Sequence, residues 1–384
     1  MNIDKAKKET VKLLKDLIEI NSENPPGNEA EIAGYAKEFL EGVGVKTELV
    51  PLAENRDSLV GLIPGSGQGS IVLCGHLDTV RADAEKWETP PFQGVVRDGK
   101  IYGRGASDMK GGCAVIMEAA KLLADSADRL EKTLIFALTA DEEAGYGGAK
   151  TLVEAGLLDE AEFLIVTEPT DGRPYIGEKG ELWIEANFFG QAAHGSTPER
   201  GINTILPGAE FCRRLHREVE RLPEDELLGR TTLNIGQFNG GWQPNVVPDE
   251  TTIKLDFRPI SEGHMEKVME LVGGLGEETA EEVGARFSRQ VTERQRPLIS
   301  DREDPYVKNF LAAARGEASA AEEATIVPYC TDAAAVVPQL EIPLVIYGPG
   351  SIDLAHQPDE YIELESLGEA LETLKNFLQR YVRG

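Results

Sequence analysis

Histidines and carboxylates recur in this chain at the ends of apolar runs, a placement that can do chemistry. The run from Ser70 to Gly75 ends in His76 and, two residues on, Asp78. Strand side chains alternate, so these two share a face. There a carboxylate can accept the second ring N–H of a metal-bound imidazole, and a buried structural histidine is the alternative. Asp108 lies between glycines just ahead of an apolar helical stretch, as a helix cap or as part of a site. The run 132–140 leads into Asp141, Glu142 and Glu143, the run 163–166 into Thr167 and Glu168, and His356 sits in the segment 348–361. Adjacent acids at a buried strand end are costly without cations. His76, Asp108, Glu143, Glu168 and His356 together suit two borderline divalent cations that share a carboxylate. Two such cations can hold a hydroxide at neutral pH and polarise a carbonyl, and Glu142 beside them is the candidate general base.

Those residues need a frame. Apolar residues at 11, 13, 14, 17 and 18 mark an amphipathic first helix that stops before Pro25, Pro26 and Gly27, and a second helical pattern covers 29–41. Short runs at 46–51, 58–63 and 71–74 predict strands. The Gly-rich turn at 64–67 is not a phosphate loop, since no Gly-Lys-Ser/Thr follows it. Continuous apolar runs at 132–140 and 163–166 predict strands buried on both faces, as in parallel sheets, whose carboxyl ends hold the ligand. From about 180 the pattern alternates, over 181–188, 232–236 and 252–258, with helical stretches at 202–221 and 264–283. That is an inserted α+β unit with its own antiparallel sheet. A helix over 306–315, a strand over 344–347 and a last helix over 366–382 return to the first frame. The expected architecture is an α/β domain of residues 1–179 and 294–384, with a mixed, largely parallel sheet flanked by helices, plus an α+β unit over 180–293.

At 384 residues the chain exceeds one core, which agrees with two domains. Lys and Arg number 39 against 67 Asp and Glu, a net charge of −28 with no basic run, which excludes nucleic acid and anionic membrane surfaces as partners. Four well-separated cysteines without a C-x-x-C pair fit a reducing cytoplasm. The charged N-terminus reads as a helix rather than a signal peptide, and no apolar run approaches the roughly 18 residues of a membrane span.

With these motifs in view, the chain resembles the M20 metallopeptidase and deacylase family, which includes acetylornithine deacetylase, succinyl-diaminopimelate desuccinylase, glutamate-releasing carboxypeptidases and aminoacylases. The resemblance covers essentially the whole chain. It is carried by Gly75-His76-Leu77-Asp78-Thr79-Val80, by the stretch 103–112 around Asp108, by Asp141-Glu142-Glu143, by Thr167-Glu168-Pro169 and by the segment that ends in His356. It implies a zinc-peptidase-like catalytic domain and a ferredoxin-like lid and dimerisation domain. It also implies two zinc ions, with cobalt a possible substitute: His76 and Glu168 on one, Glu143 and His356 on the other, Asp108 as the bridge. Glu142 matches the general base and Asp78 the residue that orients the first histidine. His194, a loop histidine by its sequence surroundings, matches one that stabilises the oxyanion, often from the partner subunit of a homodimer. Arg258 matches an arginine that grips the substrate carboxylate, and Asn245, Thr331, Gly350 and Ser351 match further substrate contacts.

Segments 348–361 and 329–331 are similar to those of acetylornithine deacetylase. The arginines with which desuccinylases hold a second carboxylate are missing: Glu181 follows Gly180, and Ala334 and Ala335 follow Ala333. Asp332 stands where the acetylornithine enzymes often carry glutamate. The expected activity is a metal-dependent hydrolysis of N-acetylornithine to ornithine and acetate in arginine biosynthesis. Alternatives are a desuccinylase, a broad N-acyl-amino-acid deacylase, a dipeptidase, or a catalytically silent metal or metabolite binder, against which the intact Glu142 argues.

Overall fold

The computed structural model describes residues 3–226, 228–314 and 326–383. In chain order come α1 (Ile3–Glu19), α2 (Glu29–Gly42), β1 (Lys46–Ala53), β2 (Arg56–Ile63), β3 (Ser70–His76), β4 (Val95–Arg97), β5 (Lys100–Tyr102), α3 (Lys110–Ala124), β6 (Thr133–Thr139), α4 (Glu142–Gly145), α5 (Gly147–Glu154) and β7 (Ala161–Val166). After β8 (Gly177–Glu178) follow β9 (Glu181–Phe189), α6 (Ile205–Glu220), β10 (Thr232–Gly240), β11 (Glu250–Arg258), α7 (Glu262–Glu281) and β12 (Arg286–Gln295). The remaining elements are β13 (Leu298–Ile299), α8 (Pro305–Ala314), α9 (Ala333–Leu340), β14 (Leu344–Ile346), β15 (Tyr361–Glu363) and α10 (Leu364–Leu378). The helix predicted over 306–315 is α8, and Arg315 lies outside the described residues.

Two compact units emerge. The first takes the chain up to Gly177 and the stretches that begin at Ile299 and Thr331; the second takes Glu178–Leu298 and a short return ending at Cys330. The return is a correction to the expected boundaries, which put it in the first domain. Its backbone explains the change: the Lys179 amide donates to the Val327 carbonyl, and the Cys330 thiol to the Lys179 carbonyl.

The first unit is built on a six-stranded sheet of order β1-β2-β6-β3-β7-β14. The β1–β2 and β2–β6 pairs are antiparallel, and β6–β3, β3–β7 and β7–β14 are parallel, so the sheet is mixed and largely parallel, as the sequence predicts. Every residue of β3 is buried, the pattern of a strand covered on both faces. α1 buries Ala6, Thr10, Leu13, Leu14, Leu17 and Ile18, one stripe at helical spacing, while α3 is buried almost all round. A separate three-stranded sheet, β15-β5-β4, joins residues 100–102 to 361–363.

The second unit has the order β10-β11-β9-β12, with all pairs antiparallel. With α6 and α7 between its strands this is a βαββαβ ferredoxin-like topology. Leu182, Ile184, Ala186 and Phe188 of β9 meet Phe211, Leu215, Val268 and Val272 of the helices in one core. The sequence reading lacked β12. Its residues, Arg-Phe-Ser-Arg-Gln-Val-Thr-Glu-Arg-Gln, form a largely exposed edge strand whose charges mask any apolar alternation.

Candidate metal centre

β3 and β6 run parallel with His76 opposite Thr139, so the chains that leave their carboxyl ends, bearing Asp78 and residues 141–143, emerge side by side. β7 flanks β3 on the other side and delivers Glu168 two residues past its end. Asp108 comes from the loop before α3. That helix can start hard against the end of β7 because residue 112 is glycine: a Cβ there would lie 2.2 Å from the Thr167 carbonyl oxygen.

The side chains converge as two triads. His76, Asp108 and Glu168 form one, and Asp108, Glu143 and His356 the other, each with its ligand atoms close enough to hold an ion. Asp108 belongs to both: Oδ1 is 3.1 Å from His76 Nε2, and Oδ2 is 3.3 Å from His356 Nε2. Glu168 Oε1 lies 3.7 Å from His76 Nε2, and Glu143 Oε2 3.1 Å from His356 Nε2. Glu142 belongs to neither triad, but its Oε2 is 3.9 Å from His76 Nε2.

A family profile described as Peptidase family M20/M25/M40 matches residues 72–380. The chain belongs to this peptidase family. It is 33% identical to an acetylornithine deacetylase of Proteus mirabilis (strain HI4320), over 92% of this chain and 90% of that one. It is 28% identical to a probable succinyl-diaminopimelate desuccinylase of Staphylococcus aureus (strain MSSA476), over 98% of each. Among solved structures, a tripeptidase from Staphylococcus aureus shares the fold with a TM-score of 0.82, at 24% identity over 98% of each chain. The protein is thus an M20 hydrolase, and among its described residues no helix is long and apolar enough to cross a membrane.

The donor set of this M20 chain fits divalent cations. Glu143 Oε1 is buried and has no hydrogen-bond partner among the described residues, a costly state for a carboxylate unless an ion takes it up. Burial pushes the carboxyls of Glu142, Glu168 and Glu143 upward. Burial would also raise Asp108, but its bonds to His356 and His76 hold it below the usual range. The same bonds to Asp108 and Glu143 push His356 up to about 10. In the chain alone the imidazoles supply the positive charge these acids demand; a cation in each triad would supply it instead and free the ring nitrogens to bind.

Asp78 departs from its expected contact. His76 Nδ1 is 3.0 Å from the Asp78 backbone carbonyl and 3.5 Å from its carboxylate. The carboxylate is taken up elsewhere, by the amides of Glu142 and Glu143, both at 3.1 Å, and by Asn24 Nδ2 at 2.9 Å. Asp78 therefore fixes the imidazole through its main chain and the start of α4 through its side chain. Asn24, which the sequence reading passed over as part of a proline-rich break, also donates to Asp141 at 3.0 Å, and Asp141 pairs with Arg56 at 2.9 Å. Asp332, which stands where the acetylornithine enzymes often carry glutamate, is buried where it accepts from the Thr139 hydroxyl and lies 3.6 Å from the Cys74 sulfur. Burial raises its carboxyl to about 6.

The expected substrate contacts in the first unit are engaged in structure. Thr331 is fully buried and its hydroxyl accepts from the Ala333 amide at the start of α9. Gly350 has φ +82°, and a Cβ on it would meet Ser107 Oγ at 2.4 Å, so the position demands glycine. The Ser351 hydroxyl donates to Asp171. His194, Asn245 and Arg258 all lie in the second unit. His194 is exposed with Nδ1 2.7 Å from Ser196 Oγ, and the Gly195 amide donates to the Asn245 carbonyl, so these two loop residues are neighbours. Arg258 is ion-paired with Glu181 at 2.8 Å and with Asp256 at 3.0 Å.

Proposed function

We propose that this M20 hydrolase cleaves the amide of N-acetylornithine to acetate and ornithine, with each triad holding a divalent cation, zinc by first preference and cobalt as a substitute. The observation that carries the amide-hydrolase reading is the two-sided placement of Asp108 between His76 and His356, with Glu142 next to it and in neither triad. Cations held there would supply Lewis-acid polarisation of the acyl carbonyl and lower the pKa of a water molecule. Glu142 takes one proton from the attacking water as the water oxygen bonds to the acyl carbon, then delivers the proton to the amine nitrogen as the C–N bond breaks. Its burial raises its proton affinity, with His76 beside it acting in the opposite sense. Asp78 holds the turn that carries Glu142 through the two amides it accepts. By its match to the family's histidine, His194 would donate a hydrogen bond to the developing oxyanion from the partner subunit of the homodimer, with Asn245 beside it in the same unit. Arg258 receives the substrate carboxylate at Nη1, its other nitrogens being turned to Glu181 and Asp256.

Acetylornithine is favoured by the 33% identity to a deacetylase of that name and by Glu181. By the resemblance, this acid stands where the desuccinylases carry an arginine for the carboxylate of the succinyl group. The desuccinylase is the second reading, favoured by the 28% identity over 98% of the chain. The test is kcat/KM of the zinc- and cobalt-loaded enzyme on N-acetylornithine, N-succinyl-diaminopimelate, N-acetylmethionine and a dipeptide. A preference of a hundredfold for acetylornithine, about 2.7 kcal/mol in transition-state binding, is expected. Equal rates on all acyl amino acids would replace this reading with a general deacylase.

The proposal includes a cytoplasmic homodimer formed by the second unit. No disulfide joins any of the four cysteines, in keeping with a reducing compartment. Support for the dimer comes from β10, an edge strand of the sheet, with Phe238 39% exposed, Trp242 74% exposed and Leu206 at the start of α6 67% exposed. Exposed apolar side chains near an open strand edge are the kind of surface a second copy covers. The double variant Phe238→Glu/Trp242→Glu should sediment as a monomer where the parent chain sediments as a dimer. A parent chain that is itself monomeric at micromolar concentration rules the dimer out.

A further inference from the structure

Glu360 lies four residues after His356 and is buried without any exposed side-chain surface. Its Oε1 accepts from the amides of Ser107 at 2.8 Å and of Asp108 itself at 3.0 Å. Its Oε2 accepts from Arg104 Nη1 at 2.6 Å and from the Gly105 amide at 3.1 Å. The Gly103 amide adds a bond to the Glu360 carbonyl, and the neighbouring Asp359 accepts from the amides of Thr89 and Glu88. Antiparallel pairing of β15 with β5 brings the two segments together across some 250 residues of chain. Arg104 is itself buried, with its guanidinium 5.1 Å from the centre of the Trp87 ring. A buried carboxylate alone would be costly; here one guanidinium and three amides use both its oxygens.

We infer that Glu360 is a positioning residue for Asp108: it locks the loop that carries the shared carboxylate to the segment that carries His356, and so sets the second cation site. The inference rests on the reading of the two triads as cation sites. The geometry makes the effect unequal. Asp108 and His356, two members of one triad, sit on the two segments that Glu360 ties together, whereas His76 and Glu168 are held by the ends of β3 and β7. Loss of the tie should therefore cost the Asp108–Glu143–His356 site more than the other.

The test is stepwise zinc affinity of the whole chain, measured by competition with a chromophoric chelator, with the visible absorption of cobalt as a second readout. His356→Ala identifies the step that belongs to the second site. Glu360→Gln should weaken that step by 10- to 100-fold and the other step by less, the range seen when groups that orient metal ligands are removed. Glu360→Asp keeps the charge opposite Arg104 but withdraws the carboxylate from the Ser107 and Asp108 amides, and should show the same loss if the glutamine variant does not fold. Glu118→Gln, which removes a buried carboxylate paired with Lys121 on α3, should leave both steps unchanged. An unaltered second step in both Glu360 variants, or an equal loss in Glu118→Gln, overturns the inference. A parent chain that binds fewer than two zinc ions overturns the two-site reading beneath it, a different result from two sites that ignore Glu360.

Discussion

Glu142→Gln should lower kcat by about 10³- to 10⁴-fold, or roughly 4–5.5 kcal/mol of barrier, while zinc content stays the same as in the parent. The estimate sits at the upper end for a single proton-transfer group because the proposed cycle uses this carboxylate twice, on the water and on the leaving amine. Glutamine keeps the size and shape of the side chain but replaces the carboxylate with an amide, which has no basic oxygen at pH 7. The fold should tolerate the exchange, because the bonds that fix the start of α4 run from main-chain amides to Asp78 and do not involve the Glu142 side chain. Steady-state kinetics with metal analysis on the same sample decide the matter. Turnover at the parent rate would remove Glu142 from the mechanism, and loss of a zinc ion would recast it as a ligand.

Asp108→Ala should have the larger effect on the metal centre. Both triads pass through this carboxylate, so its removal leaves two pairs, His76 with Glu168 and Glu143 with His356. We expect the zinc content after gel filtration to fall from two ions per chain to one or none, with activity down by at least about 10³-fold, the scale of losing cation activation of water and carbonyl together. Plasma emission spectrometry on the desalted protein supplies the count. Two retained ions would show that Asp108 bridges nothing. Chelation of the parent enzyme should reproduce the loss of activity, and added zinc should restore it.

How much of this was legible beforehand varies by residue. His76, the Glu142–Glu143 pair and Glu168 stand directly after apolar runs, and buried parallel strands leave that mark on any chain: the run must end where the sheet does, and polar residues there face the ligand crevice. The second unit's helices and three of its strands were visible from their periods. β12 was not, because in this largely exposed edge strand charged residues obscure the apolar face that Phe287 turns to the core. Asn24 left no signal, inside a proline-rich break, and Asp332 was marked only by its difference from the acetylornithine enzymes, since polar residues are ordinary at a helix start. Glu360 stands within the segment around His356, but an acid in a loop reads as solvated until its partners are known.

The amino-acid sequence by itself determined the residue types of the centre and the strand ends that present most of them, since burial and side-chain alternation are local properties of a strand. Only the tertiary structure decided that the two oxygens of Asp108 face different histidines, that Asp78 gives its carbonyl to His76 and its carboxylate to α4, and that Glu360 clasps the Asp108 loop. Each of those contacts depends on where one backbone segment comes to rest against another. That placement follows from the pairing of strands such as β5 and β15, which local pattern does not encode.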